Sequence, residues 1–377
     1  MKSEENKSLM RERGESRIKS GFLIAAICVG LSAIAVVPFF FMGRSELPES
    51  SLGMRMPVTH DMFLHYDQMR SFYAGLKSGE VYPRWEQDTN RGFGAPTTSY
   101  YPPGVYYLTS AAYAAIGDWQ GALLATLVAA MASSGAAMYV YARGVMCRRA
   151  AVAAMSAYLL MPYHLVDQYQ RGAIAELLGF VWMPLMLMYG DRLLMGGLGS
   201  VEAGEQGMEV EAGRRCLGMR GRVRACAGLA VSYGGFVWSH PPTAYQYGVG
   251  FMVYVLAVSV MRREWKGVVW VGAGSVLGVG LSAAYLLPAA LEQDLIRKEY
   301  VLTTWPYHKT YVFVHDLFNY KLFQEFFACV DFMWILSTVS VITLGVALLI
   351  MERRASVPGR SLRQHVGPWV ILGCFAS

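Results

Sequence analysis

Stretches with almost no charge constrain this chain more than any other feature, because a helix needs about 20 apolar residues to cross the roughly 30 Å hydrocarbon core of a bilayer. Such runs occupy residues 20–43, 119–142, 150–166, 172–189, 225–239, 243–261, 267–291 and 332–351. With 54% hydrophobic residues and a mean hydropathy of +0.31, the 377-residue chain is expected to be all-α, a polytopic transmembrane helical bundle in a lipid bilayer. The formal charge of +6 does not point to nucleic acid. The basic residues sit in short connectors between the apolar runs, where the excess of Lys and Arg in cytoplasmic loops puts them.

That charge pattern sets the orientation. Lys2, Lys7, Arg11, Arg13, Arg17 and Lys19 precede the first run and place the N-terminus in the cytoplasm. If residues 100–116 stay outside as a juxtamembrane or re-entrant piece, then Arg143, Arg148 and Arg149 fall inside, as do the arginines of 192–224, then Arg262, Arg263 and Lys266, and last Arg353 and Arg354. The expected organisation is a cytoplasmic tail (1–19) and a transmembrane domain (20–351) with outer loop 44–118, cytoplasmic loop 191–224 and outer loop 292–331. A cytoplasmic connector and the start of a further span follow (352–377). The N-terminus is too long and too charged for a cleaved signal, so the first run is expected to be retained. Residues 366–377, about a dozen, are too few to cross a bilayer and read as a span cut off midway, so the native protein is expected to be longer. The six cysteines show no disulfide or metal-ligand spacing.

Residues 59–104 stand apart by mixing His, Asp, Arg and Tyr with Gly and Pro. Met62, Tyr66, Met69, Tyr73 and Leu76 recur at helical spacing and predict an amphipathic helix with that seam on a membrane surface or on neighbouring helices. Asp61 and His65, four apart, then share one face beside the seam, and His60 and Asp67 another. With Thr59 as N-cap, Asp61 lies in the first turn, where the helix dipole favours an ionised carboxylate suited to a general base; the same position also suits a plain capping role. Elsewhere on the expected outer face are Arg84, Asp88, Arg91, Arg171, Glu176, His240, Asp294, Arg297, Lys298 and His308. Arg171 and Glu176, at the mouth of a run, suit either an interfacial pair or the binding of an anionic group. His240 in SHPPT ends a run, where a lone His is more often simply hydrogen-bonded. Tyr82, Trp85, Tyr100, Tyr101, Tyr106 and Tyr107 suit an interfacial belt or stacking on sugar faces. None of the glycines matches a phosphate-binding or dinucleotide fingerprint.

The segments THDMFLHYDQMRSFYAGLKSGEVYPRW and GFGAPTTSYYPPGVYYLTSA, with DQYQRGAIAELLGFVWMPLML, SHPPTA and LSAAYLLPAALEQ, run in order over most of residues 21–300. Together they resemble bacterial membrane glycosyltransferases of the GT-C superfamily, closest to the group labelled "6-pyruvoyl-tetrahydropterin synthase-related". The resemblance implies a GT-C-like fold in the bacterial plasma (inner) membrane, an extracytoplasmic active site and a polyprenyl-phosphate sugar donor. It also implies an Asp base in the first outer loop, Asp61 by position with Asp67 second. Around it, His65, Arg84, Arg171, Glu176 and His240 are expected to bind substrate, with Arg171 and His240 at the phosphate and Glu176 orienting Arg171 or holding a metal. No metal site is fixed by the residues; a divalent cation, Mg or Mn, is compatible with this chemistry. Protein partners are not indicated. A lipid-linked substrate transporter or flippase, or a non-catalytic glycolipid-binding protein, is the alternative from another class. It would carry polar residues at mid-membrane depth or paired broken helices.

Overall fold

The computed structural model describes residues 21–41, 50, 53–195, 217–263 and 265–296. The expected tails, the run 332–351 and the candidates Arg297, Lys298 and His308 lie outside these residues.

The described chain is helical, with an isolated bridge between Glu86 and Ala95 as its only β-pairing. Helix α1 (Gly21–Phe40) is followed by α2 (Met62–Lys77), α3 (Gly104–Ile116), α4 (Trp119–Val145) and α5 (Arg148–Leu159). Next come α6 (Ile174–Met195), α7 (Met219–Ser239), α8 (Pro241–Arg262), α9 (Lys266–Leu281) and α10 (Ala283–Leu291). Among the described residues α1, α4, α6 and α8 are long and apolar enough to cross a membrane, and the α9–α10 pair makes a fifth if counted as one bent span. Helix α7 is less apolar, beginning with Arg220, Arg222 and Arg224.

Close glycine contacts fix the direction of each helix. A Cβ on Gly228 would meet Tyr189 at 2.4 Å and one on Gly235 would meet Trp182 at 2.5 Å, so α6 and α7 run antiparallel. A Cβ on Gly278 would lie 2.9 Å from the Ala230 carbonyl, and one on Gly274 3.1 Å from that of Cys226, so α9 runs parallel to α7. Backbones this close need glycine. Asp191 near the end of α6, 1% exposed, accepts from Tyr141 of α4 at 3.3 Å and Tyr254 of α8 at 2.5 Å, tying the same ends of three helices together. The basic connectors gather at that end. Asp191 therefore belongs to the helical core rather than to the expected loop 191–224, whose residues 196–216 lie outside the described ones.

Three expected spans differ: the run 225–239 lies in α7, which is not among the helices apolar enough to cross a membrane, and two others are broken. The run 150–166 is helical only to Leu159, because Pro162 lacks an N–H and disfavours helical geometry in the residue before it; Met161 has φ −59° and ψ 134°. The chain continues as a short helix (Pro162–Val166) and a wide turn (Asp167–Arg171). The run 267–291 bends by 70° at Ser282, whose hydroxyl bonds to the carbonyls of Gly278 and Gly234. Helix α10 then passes across the 59–104 segment, where Tyr285 donates to the Tyr100 carbonyl at 2.9 Å.

Candidate functional site

The segment after α1 reaches the rest of the molecule through its backbone. His60 N–H donates to Gln170 O at 3.2 Å and Asp61 N–H to Arg171 O at 3.0 Å, so α2 begins against the turn that carries Arg171. That turn ends at Gly172 with φ +69°, where a Cβ would lie 2.0 Å from Thr59 Oγ1. Glycine is required twice, by conformation and by contact. Thr59 is not the cap: Asp61 holds the N-cap position, and its side chain makes no capping bond. The carboxylate, half-buried at the start of α2, is thus not engaged in closing the helix.

The buried stripe of α2 is rotated from the predicted seam. Met62, His65, Gln68, Met69, Phe72 and Gly75 face inward, while Tyr66, Tyr73 and Leu76 are half-buried and Asp67 is exposed. Polar side chains enter this stripe because they bond one another. Tyr106 gives its only hydroxyl proton to Gln68 Oε1, so His65 Nδ1 donates to Tyr106 at 2.9 Å. His65 is 2% exposed, and its Nε2 is left as a buried acceptor with no partner among the described residues. Burial, with a smaller push from His240, lowers its pKa to about 4.

Arg171 lies between two carboxylates. Its Nη1 donates to Asp167 Oδ1 at 2.5 Å, Glu176 Oε2 at 2.7 Å and Tyr163 OH at 3.2 Å. All three contacts fall on one nitrogen, so Nε and Nη2 of the 38% exposed side chain have no protein partner among the described residues. Glu176, 2% exposed in the first turn of α6, also accepts from Tyr163 at 2.9 Å and Thr243 at 2.8 Å. Since Thr243 gives its proton to Glu176, His240 Nδ1 is the donor in the 2.7 Å bond to Thr243, and its Nε2 carries a lone pair. Burial and the nearby Arg171 lower the His240 pKa against the pull of Glu176, so the ring is neutral. Burial and the charge of Glu176 push Asp167 up to about 8 despite Arg171. The buried Oδ2 of Asp167 has no partner among the described residues. Arg171 itself is raised, its two carboxylates outweighing burial. The phenol of Tyr101 is raised by burial and then by Asp61 and Glu176, which places it within reach of both.

The expected site residues thus divide. Asp61, His65, Arg171, Glu176 and His240 converge from α2, the 167–171 turn, α6 and the α7–α8 turn. Asp67 is exposed on the other face of α2. Arg84 instead pairs with Glu292 at 2.5 Å, both about one-third exposed, while Tyr100 OH donates to the Glu292 carbonyl at 2.6 Å. Asp88 and Arg91 are exposed. Of the aromatic residues, Tyr106 is fully buried and Tyr101 edges onto His65 at 5.5 Å, while Trp85 is exposed. Sequence reasoning missed Asp167, Tyr163 and Thr243. The signals were present: Asp167 lies four residues before Arg171, and Thr243 three after His240. Among the described residues no group of three His, Cys, Asp or Glu side chains is placed to hold a metal ion.

Fold and cluster together define a helical protein with membrane-length segments and, at the end opposite its basic connectors, a buried polar mouth. Comparison with family models, curated proteins and solved structures finds no match for the chain.

Proposed function

We propose that this is a multi-pass protein of the bacterial inner membrane, N-terminus in the cytoplasm, that acts as a GT-C-type glycosyltransferase on the extracytoplasmic face. The observation that supports this reading is the backbone docking of Asp61 onto Arg171: the Asp61 N–H donates to the Arg171 carbonyl at 3.0 Å, so a carboxylate that makes no capping bond and a partly exposed arginine are brought to one mouth, although 110 residues apart. A base and an anion-binding group side by side are what transfer from a sugar phosphate needs.

In this reading Asp61 takes the proton of an acceptor hydroxyl. The oxygen attacks the anomeric carbon, and the bond from that carbon to the phosphate oxygen breaks, its electron pair leaving with the polyprenyl phosphate. Arg171, through Nε and Nη2, faces the phosphate, while Glu176 and Asp167 hold the guanidinium in place. The acceptor atoms Nε2 of His65 and of His240 suit sugar hydroxyls better than phosphate, which moves His240 from the expected cationic role to a hydroxyl-binding one. Asp67 and Arg84 lie outside this arrangement. No step is routed through a divalent cation.

A flippase or glycolipid-binding protein would use the same mouth without chemistry. The bend at Ser282 is the feature that favours it, since transporters often break helices at their sites. The bend has no described counterpart in a second repeat. The test is to supply the protein in nanodiscs with a panel of radiolabelled polyprenyl-phosphate sugars. Release of sugar from one donor supports the transferase. Movement of a donor across vesicles with no sugar released supports the alternative.

A further inference from the structure

A second site lies at the opposite end of the molecule. Helices α1, α4 and α5 enclose a groove of about 370 Å³, within the roughly 300–1,000 Å³ of small-ligand pockets. Its wall is apolar, from Ala25, Cys28 and Ala136 among others, with the ring of Tyr139 along it. Ala25 and Ala136 are exposed, so the groove opens on the flank of the helices. Arg143 and Arg148 close its far end, and none of the described residues that line it is acidic. Arg143 is held there by a 2.8 Å bond from Nη1 to the Met146 carbonyl at the end of α4. Arg149 follows Arg148 in the chain and is exposed.

We infer that this groove binds an anionic phospholipid, the acyl chain along Ala25 and Ala136 and the phosphodiester at Arg143 and Arg148. The shape separates the occupant from a free anion, because the apolar length of the groove has no role for phosphate alone. The charge separates it from a zwitterionic lipid, since a basic pocket between membrane helices on the positive side selects anionic headgroups. Nothing in this argument depends on the reaction proposed for the other end.

The test is native mass spectrometry of the protein released from nanodiscs of phosphatidylcholine with a minor fraction of phosphatidylglycerol. Wild type should retain phosphatidylglycerol in preference to phosphatidylcholine. Arg143→Gln and Arg148→Gln should each cut that preference roughly fivefold, while the Lys variants at the same positions, which keep the charge, should preserve it. Ala25→Phe with Ala136→Phe, which fill the groove, should abolish retention of either lipid. The proposal is overturned if the wild type shows no preference, if the preference survives both Gln substitutions, or if millimolar inorganic phosphate displaces the lipid.

Discussion

Gly172→Ala isolates the contact on which the candidate site depends. Two costs arise at this position. A residue with a side chain at φ +69° costs about 1–2 kcal/mol relative to glycine. The new methyl would also lie 2.0 Å from Thr59 Oγ1 and 3.0 Å from Thr59 Cβ, forcing a shift that costs about 1–3 kcal/mol, as overpacking does. Together they reach roughly 2–5 kcal/mol. That strain falls on the two backbone bonds from His60 and Asp61 to Gln170 and Arg171, so the start of α2 should detach before the helices separate. Hydrogen exchange in nanodiscs should show the amides of His60 and Asp61 losing protection, with a lower thermal midpoint. Thr59→Ala removes the closest atom but keeps Cβ at 3.0 Å, so in that background Gly172→Ala should cost the conformational part and only a remnant of the overlap, and the double-mutant cycle should show coupling of about 1–2 kcal/mol. Equal cost in both backgrounds, or an unchanged amide pattern, would refute the reasoning.

Three further outcomes are expected. Burial and Glu176 raise the Asp167 carboxyl, so the Asp167–Glu176 pair takes up its second negative charge beside the phosphate only as pH rises; donor KM should increase through that titration by up to about tenfold per pH unit, and Asp167→Asn should remove the alkaline rise. His65 is neutral when folded, with its pKa lowered to about 4, so the unfolded chain binds more protons between about pH 6.5 and 4. Its share of stability is complete above that window and is lost as pH falls through it, and His65→Gln should flatten this part of a pH–stability curve measured by thermal unfolding. Asp191→Ala strands the hydroxyls of Tyr141 and Tyr254 and should cost about 1–3 kcal/mol in thermal unfolding, whereas sugar release, made at the other end, should keep its KM.

Much of the helical layout was legible because long apolar runs report helices of membrane-spanning length. The end of α5 was legible in principle too, since Met161–Pro162 carries a backbone signal that hydropathy ignores. The bend at Ser282 was not: it rests on hydroxyl bonds to Gly278 and to Gly234, the second from another helix. In α2 the apolar pattern located Met62 and Met69 in the interior but not the rotation of the buried stripe, because His65, Gln68 and Tyr106 satisfy one another and so enter the interior as a unit. Convergence of Asp61 with Arg171 was expected only from residues sharing one side of a membrane. The backbone docking that joins them depends on Gly172, whose role no single-sequence pattern announces.

The measurement that bears most directly on the central claim is the Asp61→Asn variant, assayed for donor binding and for sugar release beside the wild type. The substitution keeps the size of the side chain and removes its charge. The account predicts that the variant binds the donor with wild-type affinity and releases sugar at least about 100-fold more slowly, the usual scale for loss of a general base. Unchanged release, or loss of binding with the residual rate per bound donor intact, would contradict it.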